Sequence, residues 1–122
     1  MTAYGAPLEA SEAPTPEPQG SQVLVRVSHC GVCHSDIHLH DGYFELGEDK
    51  RLDVRSGRSL PFTLGHEIAG TVDAAGPDAG DIAPGHYAVY PWIGCGACRR
   101  CQAGDEHLCA TTHHLGITVD GG

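Results

Sequence analysis

The sequence predicts a mainly β domain, a small barrel or sandwich with short helices and a cysteine-rich metal lobe. Three observations predict it. Apolar residues fall in many short runs at close spacing, the pattern of short strands. Seventeen glycines and eight prolines make about a fifth of the 122 residues, a turn-rich composition foreign to a helical bundle. Four cysteines stand at Cys95, Cys98, Cys101 and Cys109, a C-x2-C-x2-C-x7-C run in a glycine-rich stretch.

Residues 1–20 read as an extended lead-in, polar and proline-rich over Ala13–Gly20. Ser21–Ser28 alternates around Val23, Val25 and Val27 and predicts a strand. His29–Asp36 opens with Gly31 and predicts a turn followed by one helical turn. Asp41–Leu60 is charged and punctuated by glycine, so a long surface loop or hairpin is expected there. Within Pro61–Ala75 a strand is expected through Ile68–Ala74, and within Ile82–Trp92 a short one at Tyr87–Tyr90. The cysteine lobe, residues 93–112, follows, and Leu115–Val119 predicts a last strand. The glycine pair Gly121-Gly122 after it marks a turn, so the sequence predicts a chain that continues as part of a longer protein.

A chain of 122 residues fits one domain, which buries roughly two thirds of its unfolded surface. Hydrophobic content is 40% with two Phe, four Tyr and one Trp, so the core is expected to be aliphatic. The formal charge is −9, with no basic patch to neutralise phosphates, which argues against a nucleic-acid partner. No apolar run is long enough to span a bilayer and the N-terminus has no charged-then-apolar signal pattern, so no membrane partner and a cytoplasmic location are expected. In that reducing compartment clustered cysteines read as metal ligands and not as disulfides.

Four thiolates this close in sequence can converge on one tetrahedral ion, with zinc the expected metal. The spacing and the lack of a following proline do not match the ferredoxin run of an iron–sulfur site. A second set of metal-grade donors lies at Cys33-His34-Ser35-Asp36 and Gly65-His66-Glu67. Cys33 and His66 would supply two ligands of a catalytic zinc, which keeps an open position. Asp36 is placed to fix the tautomer of His66 from outside the metal, and Ser35 with His38 offers a hydroxyl and an imidazole for passing a proton outward. Each residue also has a plain structural reading: a small buried thiol for Cys33, a hydrogen-bonded core imidazole for His66, a surface charge for Glu67, a helix cap for Ser35. The run Cys30-Gly31-Val32-Cys33-His34 also satisfies C-x-x-C-H, the haem-attachment pattern, but no export signal accompanies it and the only Met is Met1. A thioredoxin-like redox pair would require a βαβ context that the short β pattern does not offer.

At these residues the sequence resembles the N-terminal catalytic domain of the zinc-dependent medium-chain alcohol dehydrogenases. Gly65-His66-Glu67-x2-Gly70-x5-Gly76-x2-Ala79 resembles the family's zinc signature, Cys30 through His38 its catalytic-loop motif, and the cysteine lobe its structural-zinc spacing. The resemblance runs from about Val23 onward and implies a GroES-like, partly open β-barrel. It implies catalytic zinc on Cys33 and His66 with Glu67 beside it, Asp36 orienting His66, and structural zinc on Cys95, Cys98, Cys101 and Cys109. Ser35 would take the substrate's proton and His38 relay it; His34 would contact the cofactor pyrophosphate, with NAD or NADP as hydride acceptor. Phe44 and Trp92 would line a pocket for a small alcohol or aldehyde, and Cys30 has no ligand role. The third catalytic ligand and the dinucleotide domain are expected past residue 122, since no G-x-G-x-x-G occurs here, and the full-length protein is expected to be a homo-oligomer. A stand-alone zinc-binding β module is the alternative reading, and a zinc lyase or reductase on the same scaffold a third.

Overall fold

The computed structural model describes all 122 residues, Met1–Gly122. Its frame is an antiparallel pair, β1 (Val23–Gly31) against β4 (Glu67–Ala75), with β5 (His86–Ala88) on the far side of β4. Between β1 and β4 lie helix α1 (His34–Asp41) and a hairpin of β2 (Tyr43–Gly47) and β3 (Lys50–Asp53). Beyond β5 come β6 (Trp92–Ile93), a short helix α2 (Arg99–Gln102), a 3-10 turn at Glu106–Leu108, and β7 (His113–His114), which pairs with β6. The three sheets do not close into a barrel. Residues 6–19 carry no regular structure. No helix is long and apolar enough to cross a membrane.

Strand register brings the two histidine- and cysteine-bearing motifs together. Cys30 lies opposite Ile68 and Gly31 opposite Glu67, so the end of β1 and the start of β4 leave the sheet at one point. Two irregularities in the ladder, at Leu24/Val25 and Val27/His29, twist β1 locally. Gly70 sits where β4 presses against β1; a methyl group there would collide with the carbonyl oxygen of Arg26.

The core is thin. Only 12 of 122 residues are buried, so pairing of strands and local ties must supply cohesion that a large core supplies elsewhere. Leu39 is 1% exposed, and Phe62 and Ile68 are the other buried apolar residues outside the cysteine lobe. Leu39 explains why α1 runs for eight residues instead of the expected single turn: the helix continues until Leu39 is buried and stops at Gly42, whose φ of 87° only glycine adopts without strain. A cleft of about 730 Å³, lined by Val23, Val25, Val27, Ile68, Val89 and Leu115, lies along the open side of β1 and β4.

Most expected strands occur with shifted ends: the first extends to Gly31, the second spans Glu67–Ala75, and the third is His86–Ala88. Asp41–Leu60 contains the hairpin, turning at Glu48 and Asp49 with φ of 49° and 59°. The expected strand at Leu115–Val119 is instead a tight turn. Gly116 has φ 69°, its N–H donates to Val119 O at 2.8 Å, and the Thr118 hydroxyl accepts from His114 N–H at 2.8 Å, folding the segment back on itself.

Truncating Leu39 to Ala should lower the unfolding free energy by about 2–5 kcal/mol, against about 0.5 kcal/mol for the half-exposed Ile37. Urea unfolding of the two variants checks this through the midpoint at unchanged slope.

Candidate metal centres

Helix α1 begins at Cys33, an extended N-cap with φ −91° and ψ 156°. Three residues on, Asp36 folds back, and its Oδ2 accepts the Cys33 N–H at 2.9 Å. Its Oδ1 accepts the Gly65 N–H at 3.3 Å, so one carboxylate holds both the helix start and the segment before β4. Asp36 is only 7% exposed, and a buried carboxylate is tolerated where donors surround it. The same Oδ1 lies 3.3 Å from His66 Nδ1, at an angle that makes no hydrogen bond; Nδ1 is buried and has no other partner.

Cys33, His66 and Glu67 each offer a ligand atom, and these atoms lie within 4.8 Å of one another. Cys33 and His66 are half-buried while Glu67 reaches solvent. Two glycines permit the approach. A side chain at Gly31 would occupy the space of the Glu67 carboxylate, and one at Gly65, where φ is 102°, would lie 2.6 Å from the Cys30 sulfur. Cys30 packs beside the cluster without joining it, and burial pushes its thiol pKa up, with the Asp36 and Glu67 charges adding to the effect. The donor set of one soft thiolate, one imidazole and one carboxylate, with a buried imidazole nitrogen unpaired, fits zinc.

The remaining expected residues divide around this cluster. His34 and His38 stack one helical turn apart with ring centroids 4.4 Å apart, and His38 leans on the Phe44 ring at 4.7 Å. Ser35 lies on α1 between them, with no hydrogen bond to His38. Phe44 therefore sits on the His38 side. Trp92 packs edge-on against His114 at 4.3 Å, and His114 against His66 at 5.5 Å. Sequence reasoning missed His114. It is 7% exposed, and its Nδ1 pairs with Leu115 O at 2.8 Å. Only its place next to His113 in a glycine-bounded segment marks it in the sequence, and no spacing ties it to His66.

In the lobe, Cys95, Cys98, Cys101 and Cys109 place their sulfurs within 4.8 Å of one another. Cys98 and Cys101 sulfurs are 3.5 Å apart, Cys95 and Cys101 3.9 Å. Four sulfurs at about 2.3 Å from a tetrahedral zinc stand about 3.8 Å apart, so the quartet fits that ion. Gly94 lets the chain pass Cys101; a methyl group there would be 2.5 Å from its sulfur. Backbone N–H groups aim at the sulfurs, Cys98 N to Cys95 at 3.4 Å and Cys101 N to Cys98 at 3.5 Å. The Cys95 N–H, then the Thr111 hydroxyl and N–H, pull the Cys109 pKa from 9.0 down to about 6. Burial, then the Cys98 thiol, pushes Cys101 up to about 12. Cys109 is thus ready as a thiolate at neutral pH, whereas the Cys101 proton must be displaced by the metal.

Changing Asp36 to Asn should cost about 1–3 kcal/mol of stability, because an amide oxygen replaces two carboxylate acceptors in a buried position. Asp41→Asn, at an exposed helix end, is the control in the same urea titration. In metal-free protein, thiolate absorbance should show one cysteine ionising near pH 6, lost in Cys109→Ser. Because the folded pKa lies below the unfolded one, the stabilisation from Cys109 is complete above pH 9.0 and vanishes as pH falls through about 6.

Residues 19–122 match the alcohol dehydrogenase GroES-like domain family. An NAD-dependent alcohol dehydrogenase of Sulfurisphaera tokodaii is 44% identical over 122 residues, which is 99% of this chain and 34% of that protein. An alcohol dehydrogenase of Geobacillus stearothermophilus is 34% identical over 121 residues, 98% of this chain and 33% of its own length. Among solved structures, the alcohol dehydrogenase of Aeropyrum pernix superposes with a TM-score of 0.82 at 29% identity, over 100% of this chain and 34% of that one. The cobalt- and zinc-bound thermostable alcohol dehydrogenase of Pyrobaculum aerophilum gives 0.76 at 31% identity, over 99% and 36%. The chain spans about a third of the length of these relatives. The match of sequence and fold extends through β1, α1, β4 and the cysteine lobe, and by it this chain belongs to the alcohol dehydrogenase family as a GroES-like domain.

Proposed function

We propose that the chain is the metal- and substrate-binding part of a zinc-dependent, NAD(P)-linked alcohol dehydrogenase that interconverts small alcohols with aldehydes or ketones. The observation that carries the reading is the convergence of Cys33, His66 and Glu67 at the start of the helix that bears Ser35 and His38. Cys33 and His66 would hold the catalytic zinc, with Glu67 beside it, and Cys95, Cys98, Cys101 and Cys109 the structural one. Bound zinc supplies Lewis-acid polarisation of the alcohol, and the nicotinamide supplies the hydride acceptor.

The residues of the chain do the rest. Asp36 holds the Gly65 backbone next to His66 and sets a carboxylate oxygen 3.3 Å from the ring's Nδ1. The Ser35 hydroxyl takes the substrate's proton, and half-buried His38 passes it to solvent. With no direct hydrogen bond between them, a bridging water carries the proton from one to the other. His34, exposed in the first turn of α1, meets the cofactor pyrophosphate at the helix N-terminus. Trp92 and Phe44 wall the substrate from its two sides, Trp92 by way of His114 and Phe44 by way of His38. The name of the S. tokodaii relative favours NAD over NADP. The same reading makes the complete enzyme a cytoplasmic homo-oligomer.

The test uses the complete reading frame that contains this chain, assayed for NADH formation with short alcohols. Activity should vanish with a chelator and return with zinc. Cys33→Ser should lower kcat/KM by at least about a hundredfold, while His107→Ala changes it by less than about threefold. No oxidation of any alcohol, or full activity in Cys33→Ser, overturns the reading.

A further inference from the structure

Nine histidines occur in the chain, and most have an identifiable structural tie. His29 meets the Ser28 hydroxyl, His40 the carbonyl of Ala6 at 2.6 Å, His107 the Tyr90 hydroxyl, His114 the carbonyl of Leu115. His66 stands in the mixed metal cluster. His34, His38, His86 and His113 make no ring-nitrogen hydrogen bond or ion pair within the protein, and of these four only His34 and His38 have rings that lie against each other, 4.4 Å apart with planes 19° apart.

From this pair we infer a second, exchangeable transition-metal site on α1, formed by His34 and His38 and selective for imidazole-seeking divalent ions such as copper, nickel and zinc. Positions four apart share one helix face one turn apart, the spacing by which two helical histidines chelate one ion. Two imidazole nitrogens on adjacent coordination positions, each about 2.0–2.1 Å from the metal, stand roughly 3 Å apart. The rings now stack nearly parallel, so they have to turn until one in-plane nitrogen of each points at the shared ion. His34 is exposed, and the terminal torsion of a histidine is broad, so it can supply that turn at small cost. His38 is the fixed member, half-buried with its ring against Phe44 at 4.7 Å. Water fills the remaining positions of the ion, and affinity should follow the usual divalent order with copper above nickel.

The site is separate from the two donor clusters, because neither histidine belongs to either. Its consequence rests on the proposed function: an ion held here occupies the proton-relay imidazole and the cofactor-facing imidazole together, so excess metal would inhibit the enzyme that needs metal elsewhere. Binding itself needs no such reading and is measured on this chain directly.

The experiment is a nickel titration of the zinc-saturated, untagged chain. Substoichiometric nickel should broaden the ring resonances of His34 and His38 before those of any other histidine. In calorimetry, His34→Ala and His38→Ala should each weaken nickel binding by roughly ten- to a hundredfold, since either leaves a single ligand without chelation, whereas His107→Ala leaves it unchanged. Broadening that begins at other histidines, or unaltered nickel affinity in both variants, overturns the inference. The resonance measurement uses the unaltered protein, so a variant that fails to fold does not rescue the claim.

Discussion

The buried carboxylate of Asp36 is the constraint on which the site depends. Its two oxygens accept from Cys33 N–H, which opens α1, and from Gly65 N–H, which precedes β4. A carboxylate taken out of water costs several kcal/mol unless donors replace the lost hydration. Meeting that demand fixes the distance between two segments 32 residues apart in sequence, and the thiol of Cys33 and the imidazole of His66 are carried on those segments. The two hydrogen bonds that hold these segments together use backbone N–H groups and the Asp36 carboxylate, and none of the metal-donor atoms.

Such an arrangement suits a chain with little core. Leu39, Phe62 and Ile68 are the only buried residues of substantial apolar size outside the lobe. Within the lobe, Cys101 and Cys109 are themselves the buried hydrophobes. α2 has four residues, β6 and β7 two each. Elements this short cannot hold themselves together by burial, and small units of this kind commonly use a metal or disulfides instead. The six cysteines are all free, so the sulfur quartet has the structural place that a hydrophobic core has elsewhere.

What the sequence made legible follows a physical division. Spacing within one segment is local, so the four lobe cysteines and the Gly65-His66-Glu67 run could be read directly. Alternation of valines is also local, and β1 appeared where Val23, Val25 and Val27 placed it. The convergence of Cys33 with His66 depends on register between distant strands, so the residue types could suggest a shared ion while no spacing along the chain required it. His114 reaches His66 through the packing of β7 on β6, a contact with no local trace. The last segment misled because Leu115, Ile117 and Val119 alternate like a strand, while Gly116 at positive φ and the Thr118 hydroxyl favour a turn. Hydrogen bonds from a single side chain outweighed a period-two pattern only five residues long.

The two donor sets also differ in charge, and the difference argues for a division of labour. Four thiolates would overcompensate a dication and leave a centre that is closed and anionic, with no position and little appetite for a further oxygen ligand. Hydrogen bonds lower the pKa of Cys109 while burial raises that of Cys101, so the quartet combines a ready thiolate with a thiol whose proton the metal has to displace. One thiolate and one neutral imidazole would instead leave a dication with net positive charge, and a half-exposed carboxylate such as Glu67 can join or leave without closing the site. A centre able to polarise an alcohol has to be short of negative charge and open on one side. Only the cluster of Cys33, His66 and Glu67 meets both conditions, and it is the one whose two segments Asp36 ties together.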